Sequence, residues 1–290
     1  MTFLGWLQQP AVLPWVAAAF GLCVGSFLNV VIHRLPKMLE REWRAECAAL
    51  ACETPPPQEP YNLVVPRSRC PSCGIGITAL QNIPVLSFVL LKGRCYNCKT
   101  RISAKYPLVE LLAALGAGYS AWRFGFSPAA LCAAVFVWSA IALAWIDQEH
   151  GYLPDDITLP LMWVGLLANV EGAFAPLDEA VVGAAAGYMV LWSVNAGFKA
   201  LRGIDGMGYG DFKMTAAVGA FLGWKPLFMV ILLSSVVGLV FGSVQMFAAR
   251  RGWDWRFKFH FGPYIAIAAL AAMFWGAQIA RLVPVLRPFP

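Results

Sequence analysis

Four cysteines in this chain form two pairs with the spacing of metal ligands. The pairs are Cys70 with Cys73 and Cys95 with Cys98, and 21 residues separate them. Each pair can present two thiolates from one tight turn, and two such turns complete a closed tetrahedral site of the zinc-ribbon type. Four soft ligands in a closed site favour a structural Zn²⁺ ion. Two unrelated redox or free-thiol pairs, or an iron–sulfur cluster, are the alternative interpretations.

Two aspartates lie at the boundaries of apolar segments. Asp147 ends one segment, and Asp211 begins another directly after Gly208-Tyr209-Gly210. A carboxylate at a membrane boundary is costly when it is partly desolvated, which invites a functional explanation. A lone acid at a helix end is more often a cap or a solvated residue. Two acids that face each other, however, can divide the work, because one activates water while the other protonates a leaving amine.

The segments that must position these residues are strongly apolar. Hydrophobic residues make up 59% of the 290 residues and charged residues 13%, whereas soluble domains average about 45–50% and roughly 25%. The excess must face lipid, so we predict an all-α polytopic membrane protein with about eight transmembrane helices. The predicted spans are roughly 11–32, 107–123, 128–146, 157–175, 179–199, 212–224, 226–248 and 262–283. The sixth is short, and its boundaries are the least defined.

The charged residues indicate the organisation of the chain and its orientation. We predict a first span at 1–32, a Cys-rich zinc-binding domain at 33–105 and a membrane-embedded domain at 106–290. The segment 1–32 lacks a basic n-region and is expected to stay as a span. With eight spans, 18 of the 22 Lys and Arg residues lie on the side of the Cys-rich domain. Basic residues accumulate in cytoplasmic loops, so this side is predicted to be cytoplasmic and both termini periplasmic.

Taken in chain order, these motifs resemble those of bacterial type IV prepilin leader peptidases, the bifunctional peptidase/N-methyltransferases of the GxGD class of aspartic membrane proteases. The resemblance is carried by the Gly-x-Gly-Asp motif at Asp211, the segment 147–155 and the two CxxC pairs. Further matching segments are 25–36, 66–70 and 106–110. It implies that Asp147 and Asp211 are the catalytic pair.

The resemblance also implies substrates, a cofactor and a location. The substrates are prepilins and pseudopilins, cut after a glycine at the cytoplasmic face of the bacterial inner membrane. The new N-terminal amine is then methylated with S-adenosylmethionine. No glycine-rich fingerprint for this methyl donor is present in the sequence, so the methyltransferase expectation depends on the resemblance alone.

Two other functions fit parts of the sequence. A membrane scaffold with a zinc-ribbon docking loop explains the cysteines and the spans but leaves Asp147 and Asp211 unused. A proton-coupled transporter would use acidic relay residues, although transporter acids usually lie near the middle of the bilayer.

Asp155 is interpreted as a structural residue at a helix start. For Glu110 two interpretations have equal weight: an acid in the first turn of a helix, or a residue that takes part in methyl transfer. The charge of +6 gives no support to nucleic-acid binding, and no feature indicates an oligomeric state.

Overall fold

A computed structural model describes residues 5, 8–52, 59–78, 80–248 and 260–283 of the protein. These residues are predominantly helical, and they contain isolated β-bridges but no β-strand. The all-α prediction is confirmed. The helices, in chain order, are α1 (Leu13–Leu50), α2 (Leu86–Leu90), α3 (Lys105–Phe124), α4 (Pro128–His150), α5 (Asp155–Ala168), α6 (Leu177–Arg202), α7 (Tyr209–Leu222), α8 (Leu227–Ala248) and α9 (Gly262–Leu282).

Each of the eight predicted spans coincides with a helix, but the helices differ in length and composition. Five of them, α1, α4, α6, α8 and α9, are long and apolar enough to cross a membrane. The helices α5 and α7 have 14 residues each, which is about 21 Å of helix against a hydrocarbon core of about 30 Å. The fourth predicted span ends early, because α5 gives way at Ala168 to a 3₁₀ turn. The described residues therefore hold fewer full-length spans than the eight predicted.

The first helix is longer than its apolar part. α1 has 38 residues and continues through Pro36 to Leu50. The predicted first span ends at residue 32, so the following 18 residues, which hydropathy alone assigns to a loop, extend the same helix. Charged side chains on this extension are compatible with a helix that is exposed to water but not with one that is exposed to lipid.

The chain divides into two compact units, Met1–Ala142 and Leu143–Pro290. In the first unit α1 and α3 pack antiparallel at small residues. A Cβ placed on Gly25 would lie 2.6 Å from the Cα of Glu110, and one on Gly21 would lie 2.8 Å from the Cα of Ala114. Only glycine allows such a close approach of two helix backbones.

In the second unit α7 is the central helix. Its residues Met214 to Phe221 are all buried, although the helix is too short to cross a bilayer by itself. The backbones of α6 and α7 touch where Gly183 faces Gly219, since a Cβ on either glycine would fall within 3.0 Å of the other helix's backbone. Gly165 of α5 packs against the ring of Phe221 on α7, since a Cβ there would lie 2.5 Å from the ring. This packing fixes α7, and with it Asp211, inside the unit.

Candidate active site and metal centre

The four paired cysteines come together in the first unit. Their Sγ atoms all lie within 4.8 Å of one another. Cys70 and Cys95 are buried, while Cys73 and Cys98 are exposed, so the cluster lies at the surface of the segment. The structure therefore brings together every cysteine of the predicted site.

Each CxxC pair lies in a turn of the same construction. In the first turn Gly74 donates its N–H to the carbonyl of Cys70 over 2.9 Å, and in the second Lys99 donates to Cys95 over 3.1 Å. Gly74 and Lys99 both have positive φ, 71° and 59°. An isolated antiparallel bridge closes each turn. The repeated backbone geometry directs two sulfur atoms from each turn toward a common point.

One sulfur–sulfur distance in the cluster matches that of a tetrahedral Zn²⁺ site. Zn–S bonds of about 2.3 Å place tetrahedral sulfur atoms about 3.8 Å apart, and Cys70 Sγ and Cys98 Sγ are 3.7 Å apart. Hydrogen bonds with the side chain and then the backbone of Thr100 lower the pKa of the Cys98 thiol from its ordinary 9.0 to about 6. Such a thiol is largely thiolate at neutral pH, which is the form that binds a metal. The cluster can thus hold a metal ion.

Asp147 lies in the last turn of α4, and its side chain is buried. Its Oδ2 accepts a hydrogen bond of 2.9 Å from the backbone N–H of Gly262, the first residue of α9. A helix N-terminus attracts a negative charge. A Cβ on Gly262 would lie 2.8 Å from the same oxygen, so the approach depends on glycine. His260, just before α9, also interacts electrostatically with this carboxylate.

Asp211 lies in the first turn of α7, and it is only 9% exposed. Its carboxylate lies close enough to that of Asp147 for the two charges to interact repulsively. Gly210 lets the backbone before Asp211 approach the 151–154 turn, because a Cβ there would lie 2.8 Å from the Cβ of Leu153. The structure thus brings the two predicted aspartates together from different helices.

The segment before the Gly-x-Gly-Asp motif is held by Asn195 of α6. Its buried side chain accepts the N–H groups of Gly206 over 2.9 Å and of Met207 over 3.1 Å. Its Nδ2 donates to Asp205 over 3.2 Å, and the other oxygen of Asp205 accepts from Lys199 over 2.9 Å. The hydrogen bond from Lys199 is the main reason that the pKa of Asp205 is lowered. Asn195 therefore sets the position from which the chain enters α7.

A second link fixes the start of α7. Lys213 donates to both carboxylate oxygens of Asp155, at 2.8 and 2.6 Å. This ion pair joins the first turn of α5 to Lys213, the fifth residue of α7, and it agrees with the structural role predicted for Asp155. Sequence reasoning did not identify Asn195, Lys213 or Gly262 as parts of the site. The only sequence signal was that each lies near the end of an apolar segment.

Comparison with known proteins places these motifs in one family. Residues 19–124 match the bacterial peptidase A24 N-terminal domain, and residues 134–243 match the type IV leader peptidase family. Among curated proteins, the chain is 51% identical over 276 residues to a prepilin leader peptidase/N-methyltransferase of Aeromonas salmonicida, covering 93% of this chain and 94% of that one.

Proteins of the same name in other organisms are similarly close. One from Pseudomonas aeruginosa is 50% identical, covering 90% of each chain. One from Burkholderia pseudomallei strain 1026b is 48% identical, covering 92% of this chain and 87% of that one. No solved structure is significantly similar. The resemblance noted from the motifs is confirmed, and the chain belongs to the type IV leader peptidase family.

Proposed function

We propose that this chain cleaves the leader peptides of type IV prepilins and pseudopilins and then methylates the N-terminal amine that cleavage creates. The observation that carries the proposal is the pair of buried carboxylates, Asp147 and Asp211, which lie at the ends of two helices and near enough for their charges to repel each other. The relatives named prepilin leader peptidase/N-methyltransferase support prepilins as substrates and support both activities.

The chemistry assigned to the pair needs two carboxyl groups in different protonation states. Neighbouring carboxylates do not both ionise easily, so the pair retains a proton that one carboxyl can donate. The ionised partner then removes a proton from water as it attacks the scissile carbonyl, and the protonated partner donates to the departing amine. The bond that breaks lies after a glycine, on the cytoplasmic side of the substrate's apolar segment.

Substitution of the two aspartates tests the peptidase. We expect Asp147→Asn and Asp211→Asn each to abolish prepilin shortening on immunoblots, because an amide can neither accept nor donate the required proton. Asp156→Asn is the matched control, since Asp156 is an exposed acid at the start of α5 and should cleave normally. Normal processing by either variant of the pair would remove that residue from the catalytic site. Such a result would favour the scaffold or the transporter.

Two cofactors belong to the proposal. The Cys70, Cys73, Cys95 and Cys98 cluster holds a structural Zn²⁺ ion, which stabilises a segment that has little apolar core of its own. S-adenosylmethionine supplies the methyl group, and this assignment is supported by the N-methyltransferase name of the relatives.

The location follows from the charge distribution. We place the chain in the bacterial inner membrane, with both termini periplasmic and the aspartate pair at the cytoplasmic face. The five apolar helices support the membrane location. The orientation is supported by the concentration of 18 of the 22 basic residues on one side when all eight predicted spans cross the membrane. The division into a first span (1–32), a Cys-rich domain (33–105) and a peptidase domain (106–290) remains part of this proposal. The helix α1 crosses the first of these boundaries without a break.

A further inference from the structure

A small polar cluster lies between α1 and α3 in the first unit, apart from the cysteines. Its members are Ser26 and Asn29 on α1 and Glu110 on α3. The antiparallel packing of the two helices brings these residues close together. Gly25 contacts Glu110, and one turn away Asn29 contacts Tyr106. The absence of a side chain at Gly25 lets the polar residues converge at a place where most neighbouring helix positions are apolar.

Asn29 has an acceptor with no donor. Its Nδ2 donates to the carbonyl of Tyr106 over 3.0 Å, which fixes the orientation of the amide and turns Oδ1 away from that carbonyl. Among the described residues, no group donates to this Oδ1, and Asn29 is only 7% exposed. Buried acceptors are normally satisfied, because leaving one unpaired is destabilising. The amide oxygen is therefore available to accept a hydrogen bond from a group that binds there.

Glu110 adds a negative charge to the same cluster. It is only 9% exposed, and its Oε2 accepts the backbone N–H of Val85 over 2.7 Å. It also shares a hydrogen bond with the side chain of Ser26. None of the ion pairs found within the described segments involves Glu110. A buried carboxylate without a cationic partner is costly, so the cluster favours a positively charged ligand.

We propose that Asn29 and Glu110 form a binding site for an ammonium group. An ammonium group offers three N–H donors and one positive charge. These match an amide oxygen that lacks a donor and a carboxylate that forms no ion pair among the described residues. The inference rests on the proposed function, which brings two such groups to the protein. One is the N-terminal amine of the cleaved substrate in its protonated form, and the other is the α-ammonium group of S-adenosylmethionine.

Equilibrium binding to the purified full-length chain in detergent micelles tests the site without catalytic turnover. Two pairs of probes differ only at the amine. One pair is a peptide with the N-terminal sequence of a processed prepilin, with its amine free or acetylated. The other pair is S-adenosylmethionine and its analogue with hydrogen in place of the α-ammonium group. Each probe is titrated against the wild type, Asn29→Leu, Glu110→Gln and Ser120→Ala.

Ser120→Ala is the matched control, because Ser120 is buried on α3 and, among the described residues, its hydroxyl donates to Gly116 of the same helix. We expect the wild type and this control to bind the amine-bearing member of at least one probe pair about tenfold or more tightly. Asn29→Leu and Glu110→Gln should each lose most of that preference. Size-exclusion elution and helical circular dichroism of the same preparations should match those of the wild type, which shows that the variants are folded.

The two probe pairs identify the source of the ammonium group. A preference confined to the peptide pair assigns the site to the product amine, and one confined to the methyl-donor pair assigns it to the donor. The site is overturned if neither pair shows the preference in the wild type, or if both variants keep it. A wild type that binds the amine but does not cleave or methylate would sink the proposed function and leave the ammonium site standing.

Discussion

Asn195 shows how a single residue can control the site without touching the aspartate pair. Its side chain accepts two successive backbone N–H groups, those of Gly206 and Met207, just before the motif that carries Asp211. The residue is buried, whereas its partner Asp205 is exposed. Asn195 therefore matters because it fixes the backbone before α7. The ion pair between Lys199 and Asp205 adds little stability, because both groups are well solvated.

We expect Asn195→Ala to lower both the unfolding temperature and the rate of prepilin cleavage. The variant loses two hydrogen bonds to the backbone, each contributing about 1 kcal/mol, and the entry to α7 is no longer fixed. Thermal unfolding and cleavage kinetics measure the two effects. Asp205→Asn is the control and should stay close to the wild type in both. If Asn195→Ala matched the wild type in both, other contacts would have to hold the segment 203–208.

The cysteine cluster predicts a metal content. Purified protein should contain about one equivalent of zinc, because four thiolates close a single tetrahedral site. Cys70→Ser and Cys98→Ser should each lose it, whereas Cys47→Ser should retain it, since Cys47 lies on α1 outside the cluster. Elemental analysis provides the measurement. Iron with visible absorbance in place of zinc would contradict the assignment.

The residues of the site differ in how far sequence could reveal them. The cysteines were predictable because their spacing within each pair determines a local turn, and two such turns share one ligand chemistry. Asp147 and Asp211 drew attention because carboxylates at the edges of apolar segments are costly, but only the family resemblance implied that they form a catalytic pair. Gly262 was not, because its contact with Asp147 joins residues 115 positions apart. Nothing local to either residue encodes that contact.

At the scale of elements, the fold depends on helices that approach through glycine. The contact between Gly183 of α6 and Gly219 of α7 leaves no space for a side chain. Because α7 carries Asp211 in its first turn, the distance between the α6 and α7 backbones at this contact determines where the carboxylate lies. Close packing of small residues is the main source of helix association in lipid, where the hydrophobic effect is absent.

Two glycine substitutions on α6 measure how much this contact contributes to stability. We expect Gly183→Ala to destabilise the protein by about 1–3 kcal/mol, the usual cost of overpacking, and to reduce cleavage. Gly197→Ala on the same helix should be neutral or slightly stabilising, because nothing lies within 4 Å of the added Cβ. Unfolding in mild denaturant distinguishes the two. Equal stability of the variants would show that α6 and α7 can separate at no cost.

Element boundaries were less predictable than element positions. Hydropathy reports contact with lipid, so it identified the apolar part of α1 and missed the charged extension to Leu50. It also overestimated the fourth span, because the apolar run beyond Ala168 continues through a turn that Asn169 stabilises. The side chain of Asn169 donates to the carbonyls of Ala220 and Phe221 on α7 and accepts from Phe174 and Ala175. This turn is a product of tertiary packing.

At the scale of the whole molecule, the distribution of basic residues predicts topology. We expect epitope tags at either terminus of the full-length chain to be removed by protease added to intact spheroplasts. The reason is that 18 of the 22 basic residues lie on the opposite side and should stay cytoplasmic. Inverted membrane vesicles provide the control, in which both tags should be protected. Removal in the vesicles and protection in spheroplasts would reverse the assigned orientation.

The length of α1 has a mechanical consequence. Its 38 residues form about 57 Å of helix, nearly twice the thickness of a hydrocarbon core of about 30 Å. Arg34, near the middle, donates to the carbonyls of Asn62 and Pro66, which attaches the start of the Cys-rich segment to this helix. A helix adjusts its tilt to bilayer thickness, and a tilt of about 10° displaces its outer end by about 5 Å. The outer end of α1 therefore moves most when the tilt changes, whereas the start of the cysteine-bearing segment, attached at Arg34 near the middle of the helix, moves least.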